Sequence, residues 1–308
     1  MRLVAGASLA AVGDVTLDLE LRGQELRRAR AAYVHARVVA AEKPTSAKPG
    51  AEAIVLTDGT IEGFVGGACA ESTVRAQALA LLDSGDTLLL RITPEPEAPR
   101  PGSLTVHNPC LSGGTLEIFL EPIIPAPLVV VAGDTPIARA LLDLVGPLGH
   151  AGRSYEGSLP SDTAAVVIAS HGRDEEGVLV EALTANVPYV GLVASRKRGE
   201  AVLAAVDVCA SMRARVHTPA GLDIGARTPE EVALSILAEI ISTRPRQSGR
   251  PVGETSPTSA ESATDPVCGM SVVMVDASLH LDHEGQRYWF CGSGCLRAFA
   301  ADPGAYVS

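Results

Sequence analysis

Three cysteines near the C-terminal end of the chain stand where a metal would use them. Cys268 lies in the stretch Asp265-Pro266-Val267-Cys268-Gly269-Met270, and Cys291 and Cys295 follow Tyr288-Trp289-Phe290 with Gly292-Ser293-Gly294 between them. Three thiols cannot all pair with one another inside one chain, whereas a single soft ion satisfies all three. Two cysteines four apart at a helix start place both sulfurs on one side of an ion, and Cys268 reaches it from a separate knuckle. Thiolates favour Zn(II) or Cu(I), and residue types alone do not separate the two. His280 and His283 offer a fourth ligand, although each reads first as a surface histidine. At about 40 residues, a module of this size needs a staple to fold by itself. The competing reading, a set of reduced core thiols, suits clustered cysteines flanked by glycine less well.

Two further cysteines lie in glycine-containing turns. Cys69 follows Gly66-Gly67-Ala68 at a predicted helix N-terminus, where unbonded N–H groups and the positive dipole end favour a thiolate. Cys110 sits in the loop Asn108-Pro109-Cys110-Leu111-Ser112-Gly113-Gly114. Glycine lets backbone approach a ligand closely, so Cys69, Cys110, Gly66 and Gly67 form a candidate shared site. The plainer reading makes each cysteine a small hydrophobe beside a turn. Cys209 has no comparable setting and is expected to be a core thiol.

A third candidate is Ser195-Arg196-Lys197-Arg198, which follows a buried strand and precedes a helix. Three cations beside a helix N-terminus suit a phosphate, although a solvated basic turn has the same composition. Ser170-His171-Gly172-Arg173 ends a neighbouring strand, so His171 lines the same crevice in this reading. The position of a dinucleotide fingerprint is taken by Gly133-Asp134-Thr135-Pro136, which keeps only the first glycine and loses an N–H at Pro136. An NAD(P)-dependent oxidoreductase, the alternative reading for such a fold, is disfavoured on those grounds.

Composition bounds what these groups can serve. The chain of 308 residues is 46% hydrophobic and 20% charged, as expected of a folded protein. A net charge of −11 argues against a general nucleic-acid binder. No apolar run reaches the length of a membrane span. Met1 to Val15 reads as a ragged start rather than a signal peptide, which makes the cytoplasm the default compartment and keeps the thiols reduced.

The elements that position these residues follow from periodicity and turn chemistry. A helix is expected over Gln24 to Ala31, strands over Tyr33 to Ala40 and Ala53 to Leu56, and a hairpin at Asp58-Gly59 leading into Ile61 to Val65. A helix from about Glu71 to Leu82 and strands at Thr87 to Ile92, Leu104 to His107 and Thr115 to Leu120 complete the first part. Continuous apolar runs at Leu128 to Ala132, Ala164 to Ala169 and Val187 to Ala194 then alternate with helices near Glu175 to Thr184 and Gly199 to Val206. That is the pattern of a doubly wound, Rossmann-like parallel sheet. Thr135-Pro136 and Thr228-Pro229-Glu230-Glu231 are helix starts. The expected organisation is an N-terminal α/β domain over residues 1–124 and a Rossmann-like domain over 125–246. A flexible linker over 247–264 and a cysteine module over 265–308 follow.

Several of these segments carry a family resemblance. Residues 265–306, with the Asp-Pro-Val-Cys-Gly-Met opening and the Tyr-Trp-Phe-Cys-x3-Cys block, resemble the YHS domain, a module of the TRASH metal-sensor type. The resemblance implies heavy-metal binding by Cys268, Cys291 and Cys295. Gly63-Phe64-Val65-Gly66-Gly67-Ala68-Cys69-Ala70-Glu71 and Pro109-Cys110-Leu111-Ser112-Gly113-Gly114-Thr115 resemble the XdhC/CoxI family of molybdenum-hydroxylase maturation factors. So do Tyr189-Val190-Gly191-Leu192-Val193-Ala194-Ser195-Arg196-Lys197-Arg198 and Thr218-Pro219-Ala220-Gly221-Leu222-Asp223-Ile224-Gly225-Ala226.

That second resemblance implies a chaperone rather than an enzyme. Molybdenum cofactor would be its cargo, held by Cys69 and Cys110 at the metal–sulfur end and by the basic turn at the phosphate end. Lys48 stands where many members carry an arginine and joins the candidate contacts. The implied partners are an apo-hydroxylase of the xanthine or carbon monoxide dehydrogenase type and a cysteine desulfurase, with the chaperone itself a homo-oligomer. A metal sensor or buffer centred on the tail is the remaining alternative.

Overall fold

The computed structural model describes residues 18–108, 114–243 and 261–307. They form two compact units: Met1–Pro125 together with Gln247–Ser308, and Ala126–Arg246.

In the first unit, α1 (Leu19–Arg28) is followed by β1 (Tyr33–Glu42), β2 (Glu52–Leu56), β3 (Ile61–Gly63), α2 (Ala68–Ser84), β4 (Leu88–Thr93), β5 (Leu104–His107) and β6 (Thr115–Ile123). The six strands form one mixed sheet in the order β3-β2-β1-β6-β4-β5. Inward-facing Val34, Ala36 and Val38 of β1 alternate with more exposed neighbours, the period-2 pattern of a half-buried strand. Val74, Ala78 and Leu81 recur on one face of α2, pack against that sheet and are almost wholly buried. Gly85 ends α2 in the left-handed conformation, at φ 74°. Helix α1 starts earlier than the polar stretch suggests, because the Asp18 carboxylate caps it by accepting from the N–H groups of Glu20 and Leu21.

The second unit has β7 (Leu128–Ala132), α3 (Pro136–Val145), β8 (Ala151–Ser154), β9 (Thr163–Ile168), α4 (Glu175–Thr184), β10 (Tyr189–Leu192), α5 (Arg196–Ala205), α6 (Ala210–Arg213), β11 (Val216–His217) and α7 (Pro229–Ser242). Its five strands are all parallel, in the order β11-β10-β9-β7-β8. Counted from β7 this is the flavodoxin-like order, whose switch point lies between β7 and β9. The continuous apolar runs are buried on both faces, as expected. Helices α3 and α7 start at Thr135 and Thr228, each with proline at the first helical position, and Thr228 and Glu231 complete a reciprocal capping box.

Two elements of this unit differ from expectation. Helix α5 starts at Arg196 rather than Gly199, because the Ser195 hydroxyl caps it by accepting from the Arg198 N–H. Cys209 is not a core thiol: it is exposed at the start of α6, with its sulfur 3.1 Å from the Ser211 hydroxyl.

The rest of the first unit comprises β12 (Ser262–Thr264), β13 (Ser271–Val273), β14 (Leu279–His283), β15 (Gln286–Phe290) and α8 (Ser293–Ala301). Two antiparallel pairs, β12 with β13 and β14 with β15, carry the short α8. Residues 262–264, read from composition as the end of a linker, are instead a strand edge of this module. The remainder of the expected linker up to residue 260 lies outside the described residues. Phe299 of α8 is fully buried against Tyr288 and Phe290, with ring centroids 4.9 and 5.2 Å away. These aromatics supply most of the large apolar surface that so small a module has available.

Candidate functional site

The three tail cysteines converge. The Cys291 sulfur lies 3.5 Å from that of Cys268 and 3.7 Å from that of Cys295. Tetrahedral thiolate coordination at about 2.3 Å per bond requires sulfurs roughly 3.8 Å apart, so these spacings fit a bound ion. Asp265 completes a group of four whose ligand atoms all lie within 4.8 Å of one another. Its carboxylate is fully buried, and its two oxygens accept from the N–H groups of Val267 and Cys291, each at 2.9 Å. Residue type and spacing single out the cysteines but not Asp265, because an aspartate before a proline reads first as a turn residue.

Neither histidine offered as a fourth ligand belongs to this group. His280 pairs its Nδ1 with the Ser278 carbonyl at 2.9 Å and packs on Trp289, while His283 meets the Phe299 ring edge.

Without a cation, four acidic groups this close resist ionising together. The hydrogen bond from Cys69, then burial, then Cys268 and Asp265 hold the Cys291 thiol far above its ordinary range. Burial, the Cys268 hydrogen bond and the Asp265 charge push Cys295 up to about 12. A bound cation inverts this balance by favouring the thiolates. Zn(II) and Cu(I) both fit the donor set.

Cys69 stands at the edge of the same cluster. It is the second residue of α2, half-buried, and it packs with Val272, Trp289 and Cys291. The helix start is built for exposed backbone donors. Gly66 takes a φ of 146°, and a Cβ there would lie 2.9 Å from the Ala70 methyl. Gly67 is the N-cap and has no side chain to bond the first-turn N–H groups. Gly67 also lines a small cavity of about 80 Å³ with Thr45, Ser46, Asn108 and Gly114. Asn108 is buried there and donates to the Cys69 carbonyl at 3.0 Å and to the Thr73 hydroxyl at 3.1 Å. Its Oδ1 has no partner among the described residues. Cys110 lies outside the described residues, but Asn108 and Gly114, which flank its loop, both face this cavity. Lys48 is exposed and is not among the residues lining the cavity.

The second unit holds a separate cleft of about 680 Å³, within the range of small-molecule sites. His171, Ser195, Arg196 and Arg198 line it, opposite Pro219, Leu222 and Asp223. Arg196, Lys197 and Arg198 form the first turn of α5, so three cations occupy the positive end of a helix. That arrangement opposes the helix dipole and favours an anionic ligand.

Not all of these groups are equally available. Arg198 forms an ion pair with Glu175, whose carboxylate also accepts from the Gly172 N–H at 2.8 Å. Burial opposes ionisation of Glu175, but Arg198 and Gly172 outweigh it and hold the carboxyl below its usual range. Part of the Arg198 charge is therefore spent inside the fold, and the Ser195 hydroxyl is spent as a cap. Arg196 and Lys197 remain exposed. His171 is exposed in the left-handed region, at φ 53°.

Sequence reasoning missed the supports of this cleft. Glu239 of α7 accepts from the Tyr189 hydroxyl at 2.6 Å and the Gly221 N–H at 2.8 Å, and faces His217 Nδ1 at 3.1 Å. These contacts fix the loop that forms the far wall. At the switch point, Gly133 sits so close to β9 that a Cβ would lie 2.3 Å from the Ala169 carbonyl oxygen. The Thr135 hydroxyl bonds that same carbonyl at 2.8 Å.

Comparison with known proteins assigns the segments. Residues 26–93 match the model of the XdhC and CoxI family, residues 129–240 that of the XdhC Rossmann domain, and residues 263–308 that of the YHS domain. The uncharacterized protein YqeB of Escherichia coli is 28% identical over 225 residues, which are 63% of this chain and 40% of that protein. A Bacillus subtilis protein named as a probable xanthine dehydrogenase component is 36% identical over 83 residues, 27% of this chain and 24% of that one. The chain thus spans less than half of either relative. A solved structure described as a xanthine dehydrogenase from Bacillus halodurans is 17% identical, with a TM-score of 0.34 over 76% of this chain and 98% of that one, a superposition too loose to bear on function. With both XdhC models in order along the chain and the YHS model after them, the protein belongs to the XdhC and CoxI family and ends in a YHS domain.

Proposed function

We propose that the protein is an accessory factor in the maturation of a molybdenum hydroxylase, and that it carries molybdenum cofactor as cargo rather than catalysing a reaction. The family supports the accessory role. The name of the Bacillus subtilis relative supports a client of the xanthine dehydrogenase type. A carbon monoxide dehydrogenase is a second client of the same chemistry. The expected partners are the apo-hydroxylase and a cysteine desulfurase that supplies sulfur. The working form is a cytoplasmic homo-oligomer.

The observation that carries the reading is the cleft beside α5. It has the volume for a pterin, and it exposes Arg196 and Lys197 at a helix N-terminus, where a phosphate gains both ion pairing and backbone N–H donors. In the first unit, Cys69 and the glycine-capped start of α2 suit the metal–sulfur end of such a cofactor. There the unpartnered Oδ1 of Asn108 faces a cavity large enough for a small ligand group and too small for a whole pterin.

A second reading, a metal buffer, is favoured by the thiol cluster alone. Truncation after Arg246 separates the two: a cofactor carrier keeps its pterin, and a buffer loses its activity. The direct test is anaerobic purification of the full chain after cofactor loading, with pterin and molybdenum quantified beside Arg196→Ala and Cys69→Ser. Retention by wild type and weaker retention by both variants is the expected result. Pterin at background in wild type overturns the proposal.

A further inference from the structure

We propose that Cys69 is a ligand of the tail's metal, so that one soft cation is held by Cys69, Cys268, Cys291 and Cys295 and clamps the YHS domain onto the start of α2. Three independent features converge on this site.

The first is contact. Cys69 hydrogen-bonds Cys291 and packs within the cluster formed by Val272, Trp289 and Cys291. The Cys69 sulfur lies 3.8 Å from the position of a Cβ on Gly292, the residue that links Cys291 to α8. Glycine at 292 keeps that approach open.

The second is charge. Four thiolates around a divalent cation carry a net charge of −2 that the surroundings must accommodate. Two helix N-termini supply partial positive charge. Cys69 is the second residue of α2 and Cys295 the third of α8, and both helices start at glycines, Gly67 and Gly292, that offer no capping side chain. Their first-turn N–H groups are therefore available to the sulfurs.

The third is the role of Asp265. It is the nearest oxygen donor to the cysteines, but both of its oxygens already hold backbone N–H groups, one of them on Cys291. It is placed to fix the Cys268 knuckle and orient Cys291. A soft ion prefers a fourth sulfur to a carboxylate oxygen engaged in that way. On binding, each thiol releases its proton to solvent, and no electron is transferred.

The metal site stands independently of the cofactor reading; its regulatory consequence rests on that reading. If Cys69 also meets the molybdenum end of the cargo, metal in the tail and cofactor on α2 compete for one sulfur.

The test uses full-length, metal-free and cofactor-free protein titrated anaerobically with cobalt(II), where thiolate-to-cobalt absorption counts the sulfurs. Cys69→Ser is expected to lose about a quarter of that absorption per bound cobalt and to bind at least about 10-fold more weakly. Asp265→Asn is expected to keep the full absorption. A second measurement needs no variant: zinc(II) should protect Cys69 of the wild-type chain from alkylation, mapped by mass spectrometry. Unchanged absorption in Cys69→Ser beside a loss in Cys268→Ser, or Cys69 alkylated equally with and without zinc, overturns the proposal. Since no pterin is present, neither result bears on the cofactor reading.

Discussion

The thiol of Cys69, in the first turn of α2, hydrogen-bonds the thiol of Cys291 at the end of β15. More than 200 residues of sequence separate them. The contact joins the two parts of the first unit that carry thiol chemistry. It makes the tail a neighbour of the candidate cofactor end rather than a detached appendage.

Metal binding should reverse the alkaline behaviour of the tail. In metal-free protein, Cys295 rises from an ordinary value of 9.0 to about 12. A raised thiol contributes stability that is fully present below pH 9 and is lost as pH rises toward 12. Thermal melts of the metal-free chain should therefore fall across that window. Zinc-loaded protein should instead gain stability as pH rises from the acid side, because its ligands must be deprotonated. Saturating zinc at about 1,000 times its Kd should add roughly 4 kcal/mol. Identical melting profiles with and without zinc would contradict the ligand set.

The pair of Glu175 and Arg198 should be structural as well as electrostatic. Arg198→Ala leaves a buried carboxylate bonded only to Gly172 and Ser170 and should cost about 2 kcal/mol in urea unfolding. The folded-state pKa of Glu175 is depressed, so its contribution is present above its ordinary value of 4.5 and is lost as pH falls below it. The variant should therefore show a weaker acid dependence than wild type. A wild-type urea midpoint would show that the pair is dispensable.

Two glycines should respond in opposite ways. Gly133→Ala forces a Cβ within 2.3 Å of the Ala169 carbonyl at a φ of 120° and should destabilise the chain by about 3 kcal/mol. Gly67→Ser meets open space at the N-cap of α2 and should stabilise it by roughly 1 kcal/mol, because a hydroxyl there bonds a first-turn N–H. The same hydroxyl takes a donor from any anion bound at α2. Cofactor retention should fall while the melting temperature rises, and a parallel rise in both would count against ligand binding at that helix start.

Much of the architecture is legible in the residues themselves. The uninterrupted apolar strands and the Thr-Pro helix starts specify a parallel α/β sheet because each is a local signal. The tail cysteines are legible because three thiols at that spacing have few other uses. The supporting acids are not. Glu175 and Glu239 read as ordinary helix-surface glutamates, and only the tertiary fold turns one toward Arg198 and the other toward Tyr189. Asp265 looks like a turn residue, and the meeting of Cys69 with Cys291 depends on how the tail docks, which no local pattern encodes. The α5 boundary falls earlier than expected because three consecutive cations disfavour a helix start, whereas the Ser195 cap supports one.

The most direct measurement of the central claim is the pterin content of the full chain purified anaerobically after cofactor loading. The predicted result is retained pterin that falls as salt rises, drops in Arg196→Ala, and is partly displaced when zinc or Cu(I) is added to wild type. Pterin indistinguishable from background in the loaded wild-type protein would contradict it.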